Sequence, residues 1–176
     1  MKEIKVAITG HRLERIKGQE KSIECWIIGS LKNLLACYDK VTLIDGMAQG
    51  VDQIAAFAAI KTGAQISCYF PYKKKLYGAQ EYIADNAAEV RYICEKYSEE
   101  CYIKRDRRMV DDCDLLLVVW DGKPWGGTYL TYQYALEKGK DILFYSGYDN
   151  RVKENWDSVE EGFNELPRED EEDEWD

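Results

Sequence analysis

Three short apolar runs in this chain are each followed by a glycine-bearing loop. They are KEIKVAIT at 2–9 before Gly10, VTLID at 41–45 before the loop of 46–50, and DLLLVVW at 114–120 before the loop of 121–128. After the loops come stretches in which apolar residues recur at helical spacing. Strands that are apolar throughout and alternate with helices are typical of a parallel sheet covered on both faces. The order predicts an α/β three-layer fold with a mainly parallel sheet.

Apolar spacing also predicts the remaining elements. Helices are expected near 23–38, 51–59, 77–88, 102–110 and 128–138, with further strands at 65–70, 90–94 and 142–145. Pro71 is expected to stop the third strand, and Gly139 suits the C-terminal cap of the last helix. We see no internal repeat or linker before the last strand. One domain is therefore predicted for residues 1–150.

Residues 151–176 are predicted to form a separate C-terminal segment. Its apolar residues are spaced three, four and three apart, as on one face of a short helix: Trp156, Val159, Phe163 and Leu166. This helix either packs back on the domain or docks on a partner. Beyond it the chain is strongly acidic, which is typical of a disordered, solvated tail.

The net charge of −9 is concentrated in that tail. Residues 157–176 hold eleven Asp or Glu against Arg168, a net charge of −10, so subtracting −10 from −9 leaves residues 1–156 at about +1. Non-specific binding to DNA needs a strongly basic face. A near-neutral body therefore argues against a nucleic-acid partner.

The cysteines and the single histidine give no pattern of a metal site. The six cysteines show no CxxC pair and have mostly apolar neighbours, which indicates reduced thiols in or near the core: 25, 37, 68, 94, 101 and 113. We therefore assign no metal and no cofactor. No apolar run is long enough to cross a membrane and no signal-peptide pattern opens the chain, so a cytoplasmic protein is expected.

The three glycine-bearing loops are the strongest indication of function. The carboxyl ends of parallel strands meet at one edge of a sheet, where ligands bind. A helix N-terminus there presents unpaired N–H groups and a partial positive charge, and glycine lets an anion approach the backbone. Gly126-Gly127-Thr128 fits a phosphate site best, because Thr128 adds a hydroxyl. The three loops together predict a site for a phosphate-bearing ligand.

Several side chains near these loops have two interpretations. Arg12 is a candidate phosphate or carboxylate ligand, or a surface ion-pair partner of Asp52. His11 is a candidate acid or base, but no nucleophile or carboxylate stands at a recognisable partner spacing. Tyr72 and Trp125 either stack on a base or anchor their loops.

A series of motifs resembles the SLOG superfamily. It consists of ITGHR at 8–12, GMAQGVD at 46–52, FPY at 70–72, RDRRMVDDCDLLLVVWDG at 105–122 and GGT at 126–128. Within the superfamily the chain is similar to the YpsA-like branch, which is related to the DprA/Smf and LOG proteins. The resemblance spans about residues 4–145 and implies a Rossmann-like fold.

What the resemblance implies for function is the binding of a nucleotide or a nucleotide-derived, ADP-ribose-like molecule. It also implies a homo-oligomer. The ligand-binding residues expected from the loops and the resemblance are Gly10, His11, Arg12, Gly46, Gln49, Gly50, Tyr72, Arg105, Asp121, Gly122, Gly126, Gly127 and Thr128.

One departure from the related enzymes bears on catalysis. LOG phosphoribohydrolases carry PGGxGTxxE, with a glutamate three residues after the threonine, whereas this chain has Thr131 there. The carboxylate that would stabilise a ribosyl cation or activate water is therefore missing from its place. We expect a sensor or sequestering protein that binds its ligand without turnover. The alternatives are a nucleotide or N-glycoside hydrolase using Asp52 or Asp121, and a DprA-like nucleic-acid or protein interaction module.

Overall fold

Six strands alternate with five α-helices in the computed structural model, which describes residues 1–148. The strands are β1 (Glu3–Gly10), β2 (Lys40–Asp45), β3 (Gln65–Tyr72), β4 (Glu89–Cys94), β5 (Leu115–Val119) and β6 (Asp141–Phe144). The helices are α1 (Glu20–Cys37), α2 (Val51–Thr62), α3 (Gly78–Asp85), α4 (Cys101–Asp112) and α5 (Gly127–Glu137). Short 3₁₀ turns lie at Leu13–Arg15 and Ser146–Tyr148. Each predicted strand and helix before residue 149 is present, with bounds shifted by a few residues.

The six strands form one sheet in the order β4-β3-β2-β1-β5-β6. All neighbouring pairs are parallel, so the predicted mainly parallel sheet is confirmed. The chain moves outward from β1 in one direction, then returns to β5 on the other side of β1. A crevice opens beyond the carboxyl ends of the strands where the order reverses, which here is between β1 and β5.

Two apolar cores separate the sheet from the helices on either face. The larger core holds Ile23 and Ile27 of α1, Ala55 of α2 and Ile83 of α3. The second core lies on the opposite face and includes Met109 of α4 and Ala135 of α5. These cores give the three layers that the sequence predicted. Helices α4 and α5 lie on the same face of the sheet, and residues of both border the crevice.

The third strand continues past Pro71, against the sequence prediction. Pairing between β2 and β3 ends at Asp45 and Cys68, so β3 has only β4 beside it at Pro71. Phe70 pairs with Tyr92 and Tyr72 pairs with Cys94, and the register skips the proline between them. Proline is tolerated where one ladder bond is lost at the end of a strand. Tyr72 is therefore the last residue of β3 and not a loop residue.

The cysteines divide between the core and the surface. Cys68, Cys101 and Cys113 are buried, whereas Cys25 and Cys37 are exposed on α1 or at its end. The expectation of thiols in or near the core is therefore wrong for these two. No helix within residues 1–148 is long and apolar enough to cross a membrane. The predicted helix of 156–166 and the acidic tail lie outside the described residues.

Candidate functional site

A small cleft lies at the point where the strand order reverses. It has a volume of about 40 Å³ and is lined by residues from β1, the loop before α2, α4 and the start of α5. Five of the predicted ligand-binding residues line it: Gly10, Arg12, Arg105, Gly127 and Thr128. Asp52, Asp106 and Thr131 line it as well. Pockets for whole small molecules usually hold several hundred Å³, so this cleft is large enough only for a small group of a ligand.

The N-terminus of α5 forms one wall of this cleft. Gly126 precedes the helix with a φ of 90°, a left-handed conformation that favours glycine. Gly127 is the first helical residue, and both Gly127 and Thr128 are buried. The hydroxyl of Thr128 has no hydrogen-bond partner among residues 1–148, although the residue is only 2% exposed. A buried hydroxyl without a partner is costly, which makes this atom a candidate ligand contact.

The loop of residues 46–50 packs tightly against the end of β1. A Cβ on Gly10 would lie 2.5 Å from the side chain of Val51, and one on Gly50 would lie 2.5 Å from the carbonyl oxygen of His11. The backbone N–H of Val51 also donates to that carbonyl at 3.1 Å. Gly10 and Gly50 therefore serve the close approach of two backbones, a role that needs no ligand.

Arg105 and Asp52 hold the same loop from the side of the cleft. Arg105 is 5% exposed, and its guanidinium donates to the carbonyl oxygen of Gly46 and to the carboxylate of Asp106. The carboxylate of Asp52 accepts the backbone N–H of Ala48 at 3.2 Å. Both charged groups therefore line the cleft and brace the backbone that forms its floor.

His11 joins the end of β1 to the loop after β5. The ring is fully buried, and its Nε2 accepts the backbone N–H of Asp121 at 3.0 Å. An imidazole nitrogen that accepts a hydrogen bond is unprotonated, so the ring is neutral. Burial lowers the pKa of His11 and favours the same neutral form. His11 does not line the cleft, and this geometry gives it a positioning role.

Asp121 is bound by an arginine that the sequence analysis did not select. The guanidinium of Arg15 contacts both carboxylate oxygens of Asp121, at 2.8 and 2.9 Å. Burial raises the pKa of the Asp121 carboxyl, but the contacts of both its oxygens with the positively charged guanidinium of Arg15 lower it below its usual range. Asp121 is therefore ionised and engaged. Arg15 and Asp121 are 106 positions apart in the sequence. They come together because β1 and β5 are neighbours in the sheet.

Asp45 is a second residue that the sequence analysis did not select. It ends β2, is fully buried, and accepts the backbone N–H of Met47 at 2.8 Å through Oδ1. Its Oδ2 has no hydrogen-bond partner among the residues up to 148. Burial and the nearby charge of Asp52 raise the pKa of Asp45 well above its usual range. Asp45 therefore favours the protonated form beneath the 46–50 loop, where Met47 has a positive φ of 65°.

The two aromatic candidates for base stacking lie apart from the cleft. Tyr72 packs edge-to-face against Tyr97 and Tyr102, with ring centroids 5.5 and 6.3 Å away. Trp125 lies against the guanidinium of Arg15 and the ammonium of Lys123. Tyr72, Trp125 and the half-buried Gln49 are not among the residues that line the cleft.

The departure from the LOG motif is visible in α5. The hydroxyl of Thr131 donates to the carbonyl oxygen of Gly127 at 2.7 Å, within the helix. It faces the cleft but supplies no carboxylate. No group of three or more His, Cys, Asp or Glu side chains able to hold a metal ion occurs among residues 1–148. The polar groups that border the cleft are the N-terminus of α5, the hydroxyl of Thr128, the arginines Arg12 and Arg105, and the carboxylates of Asp52 and Asp106.

Three solved structures share this fold at low sequence identity. DNA processing protein A (DprA) from Streptococcus pneumoniae is 22% identical with a TM-score of 0.66, over 99% of this chain and 66% of that protein. The structural genomics target TM1055 is 15% identical with a TM-score of 0.54, over 81% of this chain and 72% of that one. The molybdenum cofactor carrier protein from Chlamydomonas reinhardtii is 10% identical with a TM-score of 0.56, over 89% of this chain and 87% of that protein.

This chain thus spans slightly less than two thirds of DprA. No protein with curated annotation matches it significantly. A family model does match, over residues 43–162, which is more than half of the chain. The stretch begins in β2 and includes α5 with the Gly126-Gly127-Thr128 loop. The chain belongs to the circularly permutated YpsA SLOG family.

Proposed function

We propose that this protein binds a nucleotide or a nucleotide-derived, ADP-ribose-like molecule, as a sensor or sequestering protein, through a phosphate group seated at the N-terminus of α5. The observation that carries the proposal is the hydroxyl of Thr128, which is buried in the wall of the cleft and has no hydrogen-bond partner in the described part of the chain. A phosphate oxygen in the cleft would accept a hydrogen bond from it. The bound ligand would thereby remove the cost of an unpaired buried group.

The backbone around Thr128 suits an anion. The first N–H groups of a helix have no partner within the helix, and the helix dipole places partial positive charge there. Gly127 has no side chain to cover these groups. Arg12 and Arg105 line the same cleft and supply positive charge, against Asp52 and Asp106. Because two arginines face two aspartates, the cleft carries little net charge. A phosphate would therefore be recognised mainly by directed hydrogen bonds and less by charge attraction.

The state of the carboxylates favours binding over hydrolysis. Asp121 is held by Arg15, and its lowered pKa makes it a weak base. Asp52 accepts a backbone N–H from the loop that it braces. Thr131 stands where the LOG enzymes have their glutamate. Of these three residues only Asp52 brings a carboxylate to the cleft, and that carboxylate is engaged with the backbone N–H of Ala48.

Binding of nucleic acid is the less favoured alternative. One structural neighbour is named as a DNA processing protein and another as a cofactor carrier. At their low sequence identity to this chain, the likeness shows only a shared fold. The net charge of about +1 over residues 1–156 provides no basic face for a phosphate backbone. Any mobility shift with single-stranded DNA is expected to vanish at modest salt.

Calorimetric titration of the full chain with AMP, ADP-ribose, cyclic ADP-ribose isomers and NAD tests the proposal. Saturable heat with at least one compound is expected, and chromatography of the mixture after incubation should show the compound unchanged. Product formation would establish the hydrolase instead. No heat with any compound, together with no small molecule released on denaturing the purified protein, would refute the proposal.

The variant Gly127→Asp locates the site. An aspartate is favourable in the first turn of a helix, so the fold should be retained, but its carboxylate would occupy the place of the phosphate. Binding is expected to be lost. Gly29→Asp on α1 is the control, because nothing lies within 4 Å of a Cβ added there. Undiminished binding by folded Gly127→Asp would place the site elsewhere.

A further inference from the structure

A second and larger opening adjoins the phosphate cleft. It is a groove of about 320 Å³ between α4 and α5. Its walls come from one face of each helix, with Ile103 and Arg107 on α4 and Leu130, Tyr134 and Glu137 on α5. The groove lies on the helical face opposite α1, α2 and α3.

The groove and the cleft share part of their lining. Asp106, Gly127 and Thr131 border both openings. The two openings therefore lie next to each other at the start of α5, where Thr128 borders the cleft. A ligand with its phosphate in the 40 Å³ cleft must extend out of it, because the cleft is too small for a sugar and a base. A volume of about 320 Å³ falls in the range of small-molecule pockets.

The groove walls have the chemistry that a flat heteroaromatic ring needs. Leu130 is 51% exposed at the groove, an apolar surface with no cover among the described residues. The guanidinium of Arg107 lies 5.2 Å from the ring centroid of Tyr134, and the hydroxyl of Tyr134 donates to the carboxylate of Asp111. The tyrosine ring is thus held in place, and planar groups of this kind stack on bases. Gln133 at the rim adds an amide that can both donate and accept.

We infer that the groove between α4 and α5 holds the nucleoside half of the ligand, with the base against Leu130 and Tyr134. The inference rests on the proposed function, because it takes its starting point from a phosphate at Thr128. It assigns the base to the groove and not to the tyrosine cluster of Tyr72, Tyr97 and Tyr102, which borders neither opening.

The test compares a compound that has a base with its fragment that lacks one. Calorimetry with the full chain would use AMP, ADP-ribose and ribose 5-phosphate. We expect the base-containing compounds to bind roughly tenfold more tightly than ribose 5-phosphate, as is typical of one stacked base. In Leu130→Ala most of this advantage should disappear, while the affinity for ribose 5-phosphate stays unchanged.

Two control variants distinguish the groove from other places. Leu136→Ala removes a leucine of equal exposure, 52%, from the same helix outside the groove. Tyr97→Ala removes the most exposed ring of the tyrosine cluster. Both should keep the tenfold advantage. If Leu130→Ala also keeps it, or if Tyr97→Ala loses it, the inference is wrong and the phosphate site stands. If none of the three compounds binds, the proposed function fails together with the inference.

Discussion

The hydroxyl of Thr128 makes opposite contributions to the free and the bound protein. Without a ligand it is a buried polar group that finds no hydrogen-bond partner within the described residues. In Thr128→Val a methyl group of nearly the same volume replaces it. We expect the free energy of unfolding to stay equal or to rise by about 1 kcal/mol, because an unpaired hydroxyl costs about 1–3 kcal/mol. Affinity for the phosphate-bearing ligand should fall about tenfold, since one hydrogen bond to a charged group is lost.

Denaturant unfolding and calorimetry on the same preparation check both effects. Thr62→Val is the matched control, because the hydroxyl of Thr62 donates to helix carbonyl oxygens at 2.9 and 3.2 Å. There the substitution removes satisfied bonds, so it should slightly lower stability and leave binding unchanged. A Thr128→Val protein that loses stability as Thr62→Val does would show that its hydroxyl has a partner.

His11 makes a second residue-level prediction, in the dependence of stability on pH. Burial lowers the pKa of His11 in the folded protein. Below the unfolded value of about 6.5, the unfolded chain therefore binds a proton that the folded protein refuses. The wild type should lose stability relative to His11→Gln as pH falls from 7 to 5, by at most about 1.4 kcal/mol per pH unit. Glutamine keeps an acceptor for the N–H of Asp121.

Because His11 is the only histidine in the chain, no other imidazole contributes to this difference. Carboxylates that do not contact His11, such as Asp45, titrate in both proteins, so their contributions largely cancel in the comparison. The measurement is denaturant unfolding of both proteins at several pH values. Parallel stability curves between pH 7 and 5 would show that the histidine titrates equally in the folded and unfolded states.

At the scale of elements, glycine patterns revealed the loops but not what each glycine does. From the sequence, Gly10, Gly46 and Gly127 are all predicted to bind the ligand. The structure gives Gly10 a packing role, because an added Cβ would lie 2.5 Å from the side chain of Val51. That distance depends on how α2 docks on β1, which no local pattern encodes. The contact of Arg15 with Asp121 was missed for the same reason, since strand order sets it.

Gly10→Ala tests this packing role. The new methyl group cannot fit without moving the start of α2, so the free energy of unfolding should fall by about 1–3 kcal/mol. Gly29→Ala in α1 is the control, because nothing lies within 4 Å of its Cβ. Alanine is the better helix former there, and stability should rise by about 0.5–1 kcal/mol. Denaturant midpoints measure both, and an unchanged Gly10→Ala would contradict the tight contact.

Alternation of apolar runs was sufficient to predict the elements because each run is local. The exception was the end of β3, where the strand passes through Pro71. Proline normally ends a strand, but here one neighbour has already stopped, so only one ladder is interrupted. The position of a neighbouring strand is a tertiary property. This tertiary property lets β3 continue to Tyr72, although Pro71 alone predicts an earlier end of the strand.

At the scale of the whole molecule, the described residues 1–148 form one six-stranded sheet with a core on each face. The domain boundary near residue 150 stays a prediction. A chain ending at residue 150 is expected to unfold in one cooperative transition with the same midpoint as the full chain, and to bind the same ligand. Thermal unfolding and calorimetry of both chains check this. A shorter chain that melts broadly or at a clearly lower temperature would place part of the core beyond residue 150.

The central claim is that a phosphate sits at the first turn of α5. The most direct measurement follows the backbone amide resonances of Gly127 and Thr128 while AMP is added to isotopically labelled full-length protein. We predict that the resonances of these two amides shift saturably, with the same midpoint as the calorimetric heat. In Gly127→Asp the amide resonance of Thr128 should not shift when AMP is added. Saturable binding of AMP that leaves the amides of Gly127 and Thr128 unmoved would contradict the account.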